Sequence, residues 1–310
     1  MNEPRHAATA ISPAILLCGH GTRDPDGVAQ FEAFAAALRA RHPGRTIAHG
    51  YLELSRPSFA EAVGALYRDG VREIHAAPVL LLTAGHAKRD IPDALNALQE
   101  RHAGLSIRMG RPLGVSPGVI ETACHLAEHA AAPVAPAETC LVVVGRGTSD
   151  PDANGDAAKL ARIVSERLGY GFATVGYIAV TRPTLGDALA LVERLPFPHV
   201  VVLPLVLFDG LLHKGISREV HTFRSQSNKQ WHVAAPFFTD DSWLATLDER
   251  IAETETGAAP MNCQLCEYRH PSLATGTGAG HSHHDHHHDH DHHHDHDHEN
   301  VPLQAGESLS

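Results

Sequence analysis

The chain states one pattern twice, and that repeat constrains its fold more than any other feature. Residues 16–26 read LLCGHGTRDPD and residues 142–152 read VVVGRGTSDPD, an offset of 126 residues. The same offset relates GYLELSRPSFAEAV at 50–63 to GYIAVTRPTLGDAL at 176–189, and Pro78 to Pro204. Three matches in one order at one spacing predict two similar halves. The glycines, the threonine and two aspartates of the motif are kept. His20, which can be a neutral base near neutrality, becomes Arg146, which cannot.

Each half alternates short apolar runs with amphipathic ones. Strands are predicted at 14–18 and near 46–52, 73–82 and 105–109. Helices are predicted over 27–41 and near 58–69, 90–101 and 117–130. The second half repeats the pattern, with strands near 140–145, 173–179 and 199–207. The expectation is an α/β protein of two similar lobes, each a parallel sheet flanked by helices. A pseudo-two-fold axis should relate the lobes, with an active-site cleft between them. Ligands of such sheets bind beyond the C-terminal strand ends. The expected division is a catalytic lobe at 1–135, a substrate-gripping lobe at 136–256 and a flexible tail at 257–310.

Composition narrows the function. The formal charge of -11 argues against a nucleic-acid partner. No uninterrupted apolar run is long enough to span a membrane, and MNEPRHAATA lacks a signal-peptide segment, so a cytoplasmic protein is expected. Cys18, Cys124 and Cys140 sit in apolar surroundings and read as buried thiols.

Three residues just after apolar strands carry the candidate chemistry. His20 lies between Gly19 and Gly21, Glu53 in YLELSRP, and His86 in TAGHAKRDIP. Alone, each has a plain structural reading: a loop histidine satisfied by backbone, or a solvated or helix-capping acid. Together, two imidazoles and a carboxylate suit a borderline metal with an open position, or acid–base chemistry. No GxSxG elbow, dinucleotide fingerprint or GxxxxGK[ST] loop is present.

The motif GHGTR at 19–23, followed by Gly85-His86 and Asp90-Ile91-Pro92, resembles the class II tetrapyrrole chelatases of the CbiX/SirB group, the sirohydrochlorin chelatases. The resemblance covers about 14–250, in the long, duplicated form. It implies insertion of Co²⁺ or Fe²⁺ into sirohydrochlorin without ATP. It also implies that His20 and His86 hold the incoming metal, His20 accepts a pyrrole proton, and Glu53 neutralises charge or relays the second proton. The long form and a histidine-rich tail at 281–298 tilt the expectation toward cobalt and cobalamin biosynthesis, with a siroheme ferrochelatase as the alternative. A non-catalytic metal-storage or metallochaperone protein is a third reading.

The substrate of that family carries eight carboxylates, so the resemblance implies basic residues around the cleft. Candidates are Arg56 and Arg182 in matching [ST]RP positions, with Lys88, Arg89, Arg146, His213, Lys214 and Arg218. His213 lies one residue from strict alignment with His86, and Ala179 stands where the first copy has Glu53. The second half therefore reads as one that binds substrate and does not catalyse. The family's short members are one such half and dimerise, so a monomer is expected here.

The tail adds two expectations. MNCQLC resembles an M-x-C-x-x-C element linked to an iron–sulfur cluster in long CbiX proteins, placing Cys263 and Cys266 as cofactor ligands. Two cysteines cannot fill such a cluster, so a cluster implies other ligands or a dimer; zinc with His270 or a redox dithiol are the alternatives. Twelve of the 26 histidines fall between 281 and 298, interrupted by aspartates, and read as capturing divalent metal.

Overall fold

The central strands are apolar on both faces because each divides two cores. The computed structural model describes residues 12–131 and 134–257. In β1 (Ala14–Gly19) every residue is buried. Ile15 and Leu17 enter one core, while Ala14, Leu16 and Cys18 enter another. In β5 (Thr139–Gly145), Leu141 and Val143 oppose Cys140, Val142 and Val144 in the same way. Alternation with period two thus sorts side chains between two dry compartments.

Each sheet has four parallel strands. The first runs β2 (Ile47–Tyr51), β1, β3 (Glu73–Pro78), β4 (Ser106–Met109). The second runs β6 (Phe172–Tyr177), β5, β7 (His199–Pro204), β8 (Gln230–Val233). The helices are α1 (Pro25–Arg41), α2 (Phe59–Arg68), α3 (Ile91–Arg101) and α4 (Pro117–Ala131), then α5 (Pro151–Leu168), α6 (Leu185–Glu193), α7 (Leu211–Arg224) and α8 (Ser242–Thr256). The expected pair of α/β lobes is present. Strand β8 escapes the sequence reading because QWHV is four residues long and has no apolar run.

Helix starts obey local chemistry. Asp24 and Asp150 cap α1 and α5, each accepting from the backbone N–H two residues on, with proline at the first helical position. Ser58 with Glu61, and Thr184 with Asp187, form matching capping boxes on α2 and α6. Each such cap stabilises its helix by about 1 kcal/mol.

The outer cores are private to each lobe, but the central core is shared. It joins Phe31 and Phe34 of α1 to Leu141 and Val143 of β5, Leu160 of α5 and Trp243 of α8. The last helix of each half crosses over. Helix α4 packs on α5, β7 and β8, while α8 packs on α4 and β3. Arg250 of α8 donates to the carbonyls of Pro112 and Leu113 and pairs with Glu253 at 2.7 Å, and Glu253 also pairs with Arg111. Trp243 is only 1 % exposed, so its truncation removes about 3–5 kcal/mol. Cys18, Cys124 and Cys140 are buried free thiols, and burial pushes Cys140 up to about 11. Among the described residues no helix is long and apolar enough to cross a membrane.

Candidate active site

The site begins where the three neighbouring strands β2, β1 and β3 end. Gly21 follows β1 at φ +96°, and a Cβ there would stand 1.8 Å from the Glu53 carbonyl oxygen. Only glycine permits that approach. The loops are tied by Glu53 N–H to the His20 carbonyl at 3.1 Å and by Ser55 Oγ to the Thr22 carbonyl at 2.8 Å. His20 and Glu53 are therefore neighbours by backbone design, with His20 Nε2 3.4 Å from Glu53 Oε1.

His86 arrives from the other side of β1. It opens a single π-turn, His86–Asp90, that runs straight into α3. Single turns of this kind occur frequently at functional sites. Its Nε2 lies 3.0 Å from His20 Nε2, with the two rings edge to face.

The partners of the other ring nitrogens determine the tautomers. His20 Nδ1 lies 3.0 Å from the Gly21 carbonyl oxygen, and His86 Nδ1 lies 2.8 Å from Asp90 Oδ2. Both oxygens only accept, so both Nδ1 atoms donate. A ring in that tautomer offers its Nε2 lone pair, and the two Nε2 positions converge. At 3.0 Å they are held together favourably by one proton or one cation. Burial keeps His86 below the ordinary imidazole range, a proton on the adjacent His20 and the Arg146 guanidinium act in the same direction, and Asp90 opposes them. His86 is thereby held as a neutral imidazole at neutral pH.

The second lobe repeats the scaffold with different chemistry. Gly147, at φ +82°, sits against the Ala179 carbonyl as Gly21 sits against Glu53. Arg146 replaces His20, is exposed, and acts electrostatically on His86 across the cleft. Ala179 replaces Glu53.

Two predicted substrate-binding lysines serve the lobe interface. Lys88 Nζ contacts Asp150 Oδ2 at 2.6 Å and Asp152 Oδ2 at 2.9 Å, and its side chain is 1 % exposed. Burial works against this ammonium, but the two carboxylates outweigh it and raise its pKa. Lys214 Nζ contacts Asp24 Oδ2 at 2.9 Å and Asp26 Oδ2 at 2.7 Å, which raise its pKa. Each lobe thus inserts one lysine into the aspartate pair that begins the partner lobe's first helix.

The remaining candidates fall in three places. Arg56 and Arg182 are 87 % and 82 % exposed and lean on Glu61 and Asp187, the acids of the two capping boxes. Arg89 pairs with Asp90 at 2.9 Å, and Arg218 lies on α7 beside Glu219. His213 does not mirror His86. Its Nδ1 bonds Asp209 at 2.9 Å, its Nε2 faces the Ala234 carbonyl at 3.4 Å, and its side chain is 17 % exposed. Asp90, which the motif contains but to which the sequence reading assigns no role, is the partner that fixes the His86 ring; the His-x-x-x-Asp spacing within a helical turn is the signal for that contact.

The cofactor expectations require correction. Among the described residues no group of three or more His, Cys, Asp or Glu side chains is arranged to hold a metal ion. His20, Glu53 and His86 therefore do not form a resident three-ligand centre: the imidazoles face each other, and the half-exposed Glu53 carboxylate stands off to one side. The cluster expected at Cys263 and Cys266, and the metals expected on the histidine-rich tail, fall outside the described residues. With no group of three or more such ligands among the described residues, neither the cluster nor the tail metal sites find support.

Comparison with known proteins agrees with the two-lobed geometry. The CbiX family matches residues 14–130 and again residues 140–254. The chain belongs to the CbiX family of chelatases, with two tandem copies of the fold. A sirohydrochlorin cobaltochelatase of Priestia megaterium is 33 % identical over 260 residues, covering 83 % of this chain and 84 % of that one. A sirohydrochlorin ferrochelatase of Bacillus subtilis is 28 % identical over 217 residues, covering 70 % and 82 %. The structure of SirB from Bacillus subtilis with Fe³⁺ superposes with a TM-score of 0.72 at 26 % identity, covering 81 % of this chain and all of that one. SirB from Bacillus subtilis subspecies spizizenii, in complex with cobalt, gives 0.68 at 25 % identity, covering 83 % and 99 %.

Proposed function

We propose that this protein is a sirohydrochlorin cobaltochelatase, inserting Co²⁺ into the macrocycle without ATP and releasing two protons. The observation that carries the reading is the convergence of two imidazole Nε2 atoms, 3.0 Å apart, at the strand ends of the first lobe. Two imidazoles bind a divalent ion weakly enough to give it up, whereas a closed four-ligand site retains it. The incoming Co²⁺ is substrate. It sheds water as His20 and His86 take it, then passes to the four ring nitrogens. Two of those nitrogens lose protons as it enters. His20 accepts the first, and Glu53, 3.4 Å from His20 Nε2, accepts or relays the second.

The second lobe grips. Arg146 meets a carboxylate on the macrocycle rim, and exposed Arg56, Arg89 and Arg182 extend the positive edge. The catalytic lobe is 1–135 and the gripping lobe 136–256, with α4 and α8 exchanged between them. Cobalt is favoured by the longer and closer match to the cobaltochelatase. The ferrochelatase relatives and the iron-bound structure support Fe²⁺ as the second reading. Absorbance spectroscopy of purified protein with sirohydrochlorin and either ion decides. Faster insertion of Co²⁺ at matched free metal is expected. Faster insertion of Fe²⁺ would reverse the assignment, and no insertion of either would remove it.

A further inference from the structure

Four large apolar side chains are exposed among the described residues: Leu54, Val180, Leu191 and Leu211. Three of them stand at the C-terminal strand ends where the proposed substrate arrives. Val180 follows β6 and Leu211 follows β7, on either side of the β5 loop that carries Arg146. Leu54 occupies the matching place in the first lobe, next to Glu53.

The backbone holds two of these side chains out at a cost. Ser55 N–H donates to the Glu53 carbonyl at 2.7 Å, closing a three-residue turn around Leu54 at φ +62°. Thr181 N–H donates to the Ala179 carbonyl at 2.7 Å around Val180, also at φ +62°. A γ-turn of this left-handed kind is rare and strained, and for β-branched valine the strain is greatest. Strain of this kind persists where the surroundings over-determine it, and it collects at ligand clamps. Solvent gives no reason to display valine there, since Val180 is 66 % exposed.

Leu211 completes the contrast between the lobes. It follows the Gly210 cap of α7 as His86 follows Gly85, and it is 66 % exposed. The first lobe thus shows His20, Glu53 and His86 to the cleft. The second shows Arg146 flanked by valine and leucine.

We infer that Val180 and Leu211 form an apolar platform for the face of the tetrapyrrole turned away from the histidine pair, with Leu54 closing its edge. The inference rests on the chelatase reading. A macrocycle is apolar on its faces and anionic at its rim, which matches apolar side chains beneath the face and the Arg146 guanidinium reaching a rim carboxylate. Seated this way, the ring presents its open face to His20 and His86, and water leaves the other face.

The test uses the full chain and metal-free sirohydrochlorin, titrated by absorbance, alongside steady-state Co²⁺ insertion. The variants are Val180→Asn, Leu211→Ser, their combination, and Leu191→Ser as an exposed-leucine control away from the cleft. Asparagine tolerates the left-handed backbone but removes the apolar surface. Each cleft variant should weaken macrocycle binding by about fivefold to tenfold, and the pair by more. KM should rise in step while kcat stays within threefold. Cobalt affinity should not move, Leu191→Ser should match the parent, and the Tm of Val180→Asn should equal or exceed the parent's. Macrocycle affinity of the double variant within twofold of the parent would overturn the platform while leaving the chelatase reading standing. A fall in Tm tracking the fall in affinity would make these side chains structural and also overturn it. A parent that neither binds nor metallates sirohydrochlorin removes the chelatase reading, and the platform with it.

Discussion

His20 Nε2 and His86 Nε2 stand 3.0 Å apart, and each ring is anchored by its other nitrogen, one to the Gly21 carbonyl and one to Asp90. Neither lone pair can turn away without breaking an anchor. The pair belongs wholly to the first lobe, since the second has Arg146 and an inward-facing His213 at the related places.

Removing either imidazole should abolish most turnover. His20→Ala and His86→Ala are each expected to slow Co²⁺ insertion by about 10²–10⁴-fold, as loss of a positioned base does. His213→Ala should leave the rate within about threefold, because its contacts lie inside its own lobe. Steady-state kinetics over a cobalt series, with circular dichroism to verify folding, measure all three.

Asp90 should act through His86. Its carboxylate raises the His86 pKa against the larger effect of burial. In Asp90→Asn that support is lost, so the His86 pKa falls further. The acid limb of the pH–rate profile should move to lower pH, while turnover drops about 10–100-fold through lost orientation. An acid limb that moves upward would contradict the assignment.

Arg146→Ala should separate the two substrates. Sirohydrochlorin binding is expected to weaken by about tenfold or more, the effect of losing one charge-assisted hydrogen bond. Cobalt affinity should change little, since the guanidinium has no lone pair to offer. Paired titrations test this, and a loss confined to cobalt would refute it.

The two interlobe lysines should differ in stability. Lys88→Met strands Asp150, which is 1 % exposed, and Asp152 beside it. Breaking a buried pair this way costs about 3–5 kcal/mol. Lys214 is 40 % exposed and its partner Asp26 66 % exposed, so water reaches this cluster and Lys214→Met should cost less, although Asp24 is itself only 5 % exposed. Urea unfolding of the two variants gives the comparison.

Mild acid should weaken the fold. Burial holds His49, His75 and His232 below the ordinary imidazole value of 6.5. Below that value the unfolded chain binds protons that the folded one refuses, so stability falls as pH drops. Thermal melts from pH 7.5 to about 5.5 should show a declining Tm, well before the carboxylates titrate.

The repeat, the two parallel α/β lobes and the three strand-end loops are legible in the sequence. They rest on local rules: hydrophobic period, glycine where backbones touch, caps at helix starts. The residues kept in both copies of the glycine motif are the ones those rules and the lobe interface require. Gly21 and Gly147 meet the neighbouring loop, Thr22 and Thr148 accept from the N–H groups of Asp24 and Asp150, and those aspartates cap α1 and α5. Position 20 or 146 points into the cleft and carries none of that work, so it was free to become arginine. What the tertiary structure alone decided is pairing between residues far apart in the chain, 64 positions for Lys88 with Asp152 and 190 for Lys214 with Asp24, or between loops that only folding brings together. By charge and position in the sequence Lys88 and Lys214 suit an anionic substrate, and only the fold sets the opposite lobe's aspartates beside them. The exchange of α4 and α8 is equally invisible, because an amphipathic helix does not specify which sheet its apolar face covers. The exposure of Val180 and Leu211 has the same cause: valine and leucine read as core in any sequence, and only the packed surface shows which of them were left exposed.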